Sequence, residues 1–250
     1  MKLLDTSLVV RIDRFHDILT FDLIVFLWLG LPIYAISIGA VSIPSAGNDG
    51  VSKPEVVAGV IYNPALNEMT SAVRGRGCYL NNVRIRPRMA STASLIDNTT
   101  NDKGIKQKQS ILSQSLINVG YPIKSASTLQ VSSRTISALS TQVRGLRIMA
   151  CASQTMAWVA QSKFDAYIGW DLNAWDVAAG LVIVEESGGH VCNFDGTRAD
   201  ITSRDMIILC GSNRRHPGDA ACNDEVETDE DRTLKDALIQ VLKANNCVEY

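Results

Sequence analysis

The stretch Trp175-Asp176-Val177-Ala178-Ala179-Gly180, continued by Leu181-Val182-Ile183-Val184-Glu185-Glu186-Ser187-Gly188-Gly189, decides how the rest of the chain is read. From 175 to 186 it is rich in Ala, Val and Ile and long enough for a helix. Gly188-Gly189 closes it as glycine-rich C-caps do. Asp176 falls in the first turn, where a carboxylate has two jobs open to it. It caps or favours the positive end of the helix dipole, or it offers hard oxygen to a divalent cation such as Mg2+. The helix by itself does not choose between them.

Outward from that helix, strands and helices alternate. Residues 112–121 read as a strand running into a loop, 127–139 as a helix, 144–150 as a strand, 153–161 as a helix and 164–168 as a strand. After the W-D helix come strands at 190–194 and 206–211, then a last helix at about 231–245. This rhythm indicates an α/β layer. Before residue 109 the pattern differs. Residues 55–63 (EVVAGVIYN) are strand-like, Pro64-Ala65-Leu66-Asn67 makes a turn, and 68–73 returns as the second arm of a hairpin. Gly75-Arg76-Gly77 is a further turn and 78–80 a short strand, while 43–54 and 90–108 are polar connections. The expected division is an antiparallel-sheet portion at 1–108, atypical over 1–31, and an α/β portion at 109–250.

Composition bounds the function. The 250 residues are 46% hydrophobic and 20% charged, which is globular and not disordered. Lys plus Arg number 24 against 26 Asp plus Glu, so the basic excess of a dedicated nucleic-acid binder is absent. Six of the acids sit in the run 224–231 (DEVETDED), read as a solvated loop; the remainder carries 24 bases against 20 acids, slightly favourable to an anionic ligand. Six cysteines without a CxxC pair point to reduced, mostly buried thiols in an intracellular, cytoplasmic protein. From Leu23 to Val41 no charge occurs over 19 residues, enough for a membrane span. Pro32 in its middle and the β-branched run that follows favour a buried core segment instead.

The W-D stretch resembles the second signature of the inositol monophosphatase family, W-D-x-A-A-G…E-x-G-G. Gly59 to Pro64 with Arg74 to Asn81 is similar to that family's strand hairpin, 146–167 to the strand, helix and strand before its W-D motif, and 32–39 (PIYAISIG) to its P-F-x-x-S-I-G strand. The resemblance implies an αβαβα layered sandwich, here N-terminally incomplete, and Mg2+-dependent hydrolysis of a phosphate monoester. The expected substrate is inositol monophosphate or a related small sugar or polyol phosphate, and a homodimer is compatible with it. Asp176 then occupies a metal-ligand position. Counting back without gaps from Pro32, Asp22 falls on the second aspartate of the first signature, D-P-x-D-G-T-T, while Leu19 replaces the first and Leu23-Ile24-Val25 replace Gly-Thr-Thr.

The same resemblance places Ala150, Cys151 and Ala152 on the family's substrate-facing Gly-Ser/Thr-Ala segment, and Gly169 where a glutamate meets an inositol hydroxyl. Losing that carboxylate removes a charge-assisted hydrogen bond, about 1.5–3 kcal/mol. Asp171 substitutes for it only if strand alternation runs on past Gly169. No catalytic base or nucleophile is assigned. With so few acidic ligands the expectation is impaired turnover; the alternative is a non-catalytic fragment or pseudoenzyme that serves as a binding or dimerisation module.

Overall fold

The computed structural model describes residues 8–12, 17–23, 33–42, 54–85, 110–121, 126–199, 201, 206–211 and 234–247, with 8–12, 17–23 and 206–210 described by their backbone alone. The polar stretch at 90–108, the acidic run at 224–231 and nearly all of the loop at 43–54 lie outside these residues.

The first half builds one antiparallel sheet in chain order: β1 (Leu8–Ile12), β2 (Asp17–Leu23), β3 (Ile36–Ser42), β4 (Glu55–Asn63), β5 (Glu68–Val73), β6 (Gly77–Leu80) and β7 (Val83–Arg84). β4 and β5 form because β-branched residues alternate faces on either side of a turn. Asn67 takes φ 51° there, and Asn63 Oδ1 accepts the Leu66 N–H at 3.0 Å. The apolar run from Leu23 to Val41 begins in β2 and ends in β3, with Leu23 opposite Ile36 in the antiparallel register. No helix among the described residues is long and apolar enough to cross a membrane.

The second half contains β8 (Leu116–Val119), α1 (Ala126–Ser140), β9 (Gly145–Arg147), α2 (Ala152–Ala160), β10 (Ala166–Leu172), α3 (Ala174–Glu186), β11 (His190–Cys192), β12 (Met206–Gly211) and α4 (Leu234–Ala244). Its sheet runs β11-β12-β10-β8-β9, with β8 parallel to both β9 and β10. α1 leads from β8 to β9 on one face, and α2 leads back past β8 to β10 on the other. Strand order therefore reverses at β8, and in open sheets of this kind ligands bind beyond the carboxyl ends of the strands at that reversal.

α2 and α3 lie between the sheets. One core, with Val41, Ile61, Met156, Trp158 and Val182, fills the space between the first sheet and these helices; a second, with Ile117, Leu139, Ile168 and Leu238, lies under α1 and α4. The described layers are thus β, α, β, α: four of the five that the resemblance implies.

The A-A-G of the W-D helix has a packing explanation. A Cβ on Gly39 would stand 2.9 Å from Ala178 Cβ, and one on Gly59 would stand 2.7 Å from the Ala179 carbonyl oxygen. On the helix's other side, a Cβ on Gly180 would meet Met156 Sδ at 2.6 Å. Small residues let α3 sit close to the first sheet and to α2 at once. At the far end of α3, Glu185 pairs with Arg74, and the Glu186 carboxylate accepts the N–H groups of Gly75 and Gly77, each at 2.8 Å.

Several sequence expectations need adjustment. The strand expected from 112 opens instead as a 3-10 turn at Leu112–Gln114 and is confined to Leu116–Val119. The strand expected at 144–150 is confined to Gly145–Arg147, because Ala150 turns to φ 51° before α2. The strand expected at 164–168 starts two residues later and runs on to Leu172. Residues 1–20, unreadable in the sequence, contain β1 and the start of β2.

Candidate functional site

The parallel strands β8, β9 and β10 end at one edge of the second sheet, and β9 and β10 each hand over to a helix at that edge. α2 begins at Ala152 and α3 at Ala174, so two helix N-termini face the same way over the carboxyl ends of the strands. Each brings first-turn backbone N–H groups and the positive end of its dipole, an arrangement that favours an anion.

Asp176 stands at the third position of α3. Its Oδ2 accepts the backbone N–H of Asn173, the N-cap residue, at 2.8 Å. The carboxylate thus performs the capping role open to it from the sequence. It is partly buried rather than sealed. Trp175 beside it is 37% exposed.

Ala150, Cys151 and Ala152 form the entry to α2. Ala150 has φ 51°, a left-handed backbone in which glycine is at ease and alanine is strained. The resemblance places a glycine at this position. Cys151 is the N-cap residue, 1% exposed, with Sγ 3.8 Å from Ser153 Oγ. The entry is held by a polar cluster that the sequence reading did not single out. Asn118 of β8, fully buried, donates to Thr155 Oγ1 at 2.8 Å and accepts the Met149 N–H at 3.1 Å. Thr155 Oγ1 in turn donates to the Cys151 carbonyl at 2.6 Å. The available signal was a lone amide in the otherwise apolar strand Leu116-Ile117-Asn118-Val119.

Gly169 lies one strand over, against Gly120, where an added Cβ on Gly120 would stand 3.3 Å from Gly169 Cα. A Cβ on Gly169 itself would meet Tyr167 Oη at 2.6 Å and Leu172 Cδ1 at 2.7 Å. The room that a glutamate side chain needs is therefore filled by the Tyr167 hydroxyl. Asp171 does not inherit the position by alternation. The pairing of β10 with β12 shifts between Gly169 and Leu172, Asp171 takes φ 54°, and Leu172 joins Tyr167 in the core facing α2 and α3. The irregularity changes the parity of the strand.

Asp22 is described by backbone alone. Its register partner is Ser37, on the face of the first sheet that α3 covers. The end of α3 at Glu185 and Glu186 lies by Arg74 and Gly75, so its first turn lies toward the opposite end, the Ser37 end of β3. Backbone register thus brings Asp22 and Asp176 to the same end of the interlayer space. Among the described residues, no three His, Cys, Asp or Glu side chains gather closely enough to hold a metal ion.

Cys78, Cys192 and His190 lie away from this edge. Burial pushes the Cys78 thiol up to about 12 and the Cys192 thiol up to about 11, which makes both unreactive. Burial, helped by Lys235 and opposed by Asp236, lowers His190 to about 4.

A model of the inositol monophosphatase family matches residues 29–227. The Nus factor SuhB of Haemophilus influenzae is 32% identical over 178 residues, covering 71% of this chain and 56% of that protein. The fructose-1,6-bisphosphatase/inositol-1-monophosphatase of Thermotoga maritima is 31% identical over 182 residues, covering 73% of this chain and 57% of its own length. The solved inositol monophosphatase from Anabaena shares the fold at TM-score 0.59 and 22% identity, over 86% of this chain and 65% of that one. The chain spans little more than half the length of the two sequence relatives. With a match that extends from β3 through β12, the chain belongs to the inositol monophosphatase family.

Proposed function

We propose that this chain carries a phosphomonoesterase site of the family's type, directed at a small phosphorylated polyol or sugar such as inositol monophosphate, Mg2+-dependent and impaired in turnover. The observation that carries the reading is the place of Asp176. It stands in the first turn of α3, beside the N-terminus of α2 and toward the end of the first sheet that holds the backbone of Asp22. Two helix N-termini supply N–H groups and positive dipole ends for a phosphate. Gly169, which leaves no room for a carboxylate, supports a substrate not gripped as tightly at that hydroxyl as the family pattern implies.

The sequence supports impairment, with Leu19 and Leu23-Ile24-Val25 in place of the first aspartate and the Gly-Thr-Thr of the first signature. The described residues do not fit a magnesium pair: Asp176 is engaged in capping through Oδ2, and no acidic cluster surrounds it among them. The same observation supports a second reading, a module that binds a phosphorylated ligand without hydrolysing it.

Phosphate release from inositol 1-phosphate in millimolar Mg2+ tests both, alongside calorimetric binding of inorganic phosphate. Slow, Mg2+-dependent release that Asp176→Asn abolishes is the expected result. Background release from both proteins, with phosphate still bound, selects the second reading. Neither release nor binding refutes both.

A further inference from the structure

Asn118 is the one amide in the apolar strand β8, and it is fully buried between that strand and α2. A buried amide is costly unless it is hydrogen-bonded. An apolar pair of the same shape in place of Asn118 and Thr155 would hold strand to helix without that demand. What the polar pair adds is direction.

Its bonds reach two points of one short link. Asn118 Oδ1 accepts the Met149 N–H at 3.1 Å, and Asn118 Nδ2 donates to Thr155 Oγ1 at 2.8 Å. Thr155 Oγ1 donates in turn to the Cys151 carbonyl at 2.6 Å, which also accepts the Thr155 N–H at 3.0 Å. β9 ends at Arg147 and α2 starts at Ala152, so the link between them is residues 148–151. The pair pins this link at Met149 and at Cys151, on either side of Ala150 with its φ of 51°. A left-handed alanine persists only where its surroundings over-determine it, and the two pins supply that determination.

The pinned link carries the first turn of α2 with it. The amides of Ala152, Ser153 and Gln154 precede the Thr155 bond, at the end of the helix that meets the carboxyl edge of the second sheet. Their direction is therefore set from β8, by side chains that lie behind the edge.

We propose that Asn118 and Thr155 are positioning residues for ligand binding at this edge, holding residues 148–151 so that the first-turn amides of α2 meet a phosphate group. The inference rests on the reading of the edge as a phosphate site. Both side chains act through Met149 and Cys151, with no contact to the ligand. An amide that donates to an anion makes a charge-assisted hydrogen bond, so turning one such amide away weakens phosphate on the order of tenfold.

The test titrates inorganic phosphate calorimetrically into the full chain in millimolar Mg2+, well below the thermal midpoint of each variant. Thr155→Val keeps the side chain's shape and loses its hydroxyl, and should bind phosphate about tenfold more weakly than the wild type. Thr155→Ser restores both bonds and should recover wild-type affinity. Asn118→Ala carries the same prediction as Thr155→Val should that variant not fold. Val131→Ala opens a cavity in the second core, under α1, and lowers the thermal midpoint. It should leave phosphate affinity unchanged, which separates lost stability from lost direction. Equal affinity in the wild type and Thr155→Val overturns the proposal and leaves the reading of the site in place. So does a loss that Thr155→Ser fails to recover, or one that Val131→Ala matches. A wild-type chain that binds no phosphate overturns both.

Discussion

Gly59→Ala isolates the close seat of α3 on the first sheet. Gly59 lies inside β4, where alanine is intrinsically favoured over glycine by about 0.5–1 kcal/mol. On local grounds the substitution should therefore stabilise. The seat reverses this. The added Cβ would stand 2.7 Å from the Ala179 carbonyl oxygen, 2.8 Å from Ala179 Cα and 2.8 Å from Val182 Cγ1. Ordinary carbon contacts begin near 3.5 Å, so strand and helix must separate by about 0.7 Å. Two of the three opposing atoms are backbone, so no change of rotamer relieves them. Overpacking of this kind costs about 1–3 kcal/mol. With the rigid opponents placing it at the upper end, the net loss after the strand gain is about 2 kcal/mol. For a chain of this length that lowers the thermal midpoint by about 4–8 °C. Differential scanning calorimetry of the two proteins measures it. A midpoint equal to or above that of the wild type would refute the argument that small residues in β4 exist to seat the helix.

Gly180→Ala should also lower the midpoint, although alanine in a helix gains about 1 kcal/mol over glycine, because Met156 Sδ, Cβ and Cε all lie within 2.9 Å of the new methyl; a rise would contradict the packing. Ala150→Gly should stabilise by about 0.5–1 kcal/mol in urea titrations, since φ 51° strains alanine and not glycine; no gain would mean the turn is not strained. His190 is lowered to about 4, so the unfolded chain takes up its proton first as pH falls. Stability is then full above about 6.5 and declines by at most about 3 kcal/mol down to about pH 4, and His190→Gln should flatten the urea midpoint over that window. Parallel wild-type and variant curves would assign the acid loss elsewhere.

Much of this fold could be read from the sequence where local and tertiary preferences agree. The hairpin of β4 and β5 has the bounds expected of it, because its turn residues and alternating faces say the same thing. α2 and α3 lie within a residue of their expected ranges, since small and apolar residues favour both helix and burial. The strands β1 and β2 were illegible because their sequence mixes charged and apolar residues without a period; pairing with β3 organises them. β10 was cut short because Gly169 and Asp171 look like strand breakers, while its neighbours carry it through an irregular pairing. At the candidate site, Asp176 and its helix were visible as a motif. The Tyr167 hydroxyl over Gly169 and the Asn118–Thr155 cluster were not, because both depend on which side chains the fold brings together across 31 to 37 residues of chain or across a single strand's face.

The grip of Glu186 on the turn between β5 and β6 has a consequence for how the chain breathes. One carboxylate receives two amides from residues 109 and 111 positions away, next to the Arg74–Glu185 ion pair. Those amides become available to deuterium when the Glu186 carboxylate lets go, so their exchange rates report on a side chain at the trailing end of a helix encoded far downstream. Early and late stretches of the polypeptide are laced together at this clasp, and a nick in the turn would loosen the trailing end of the helix first.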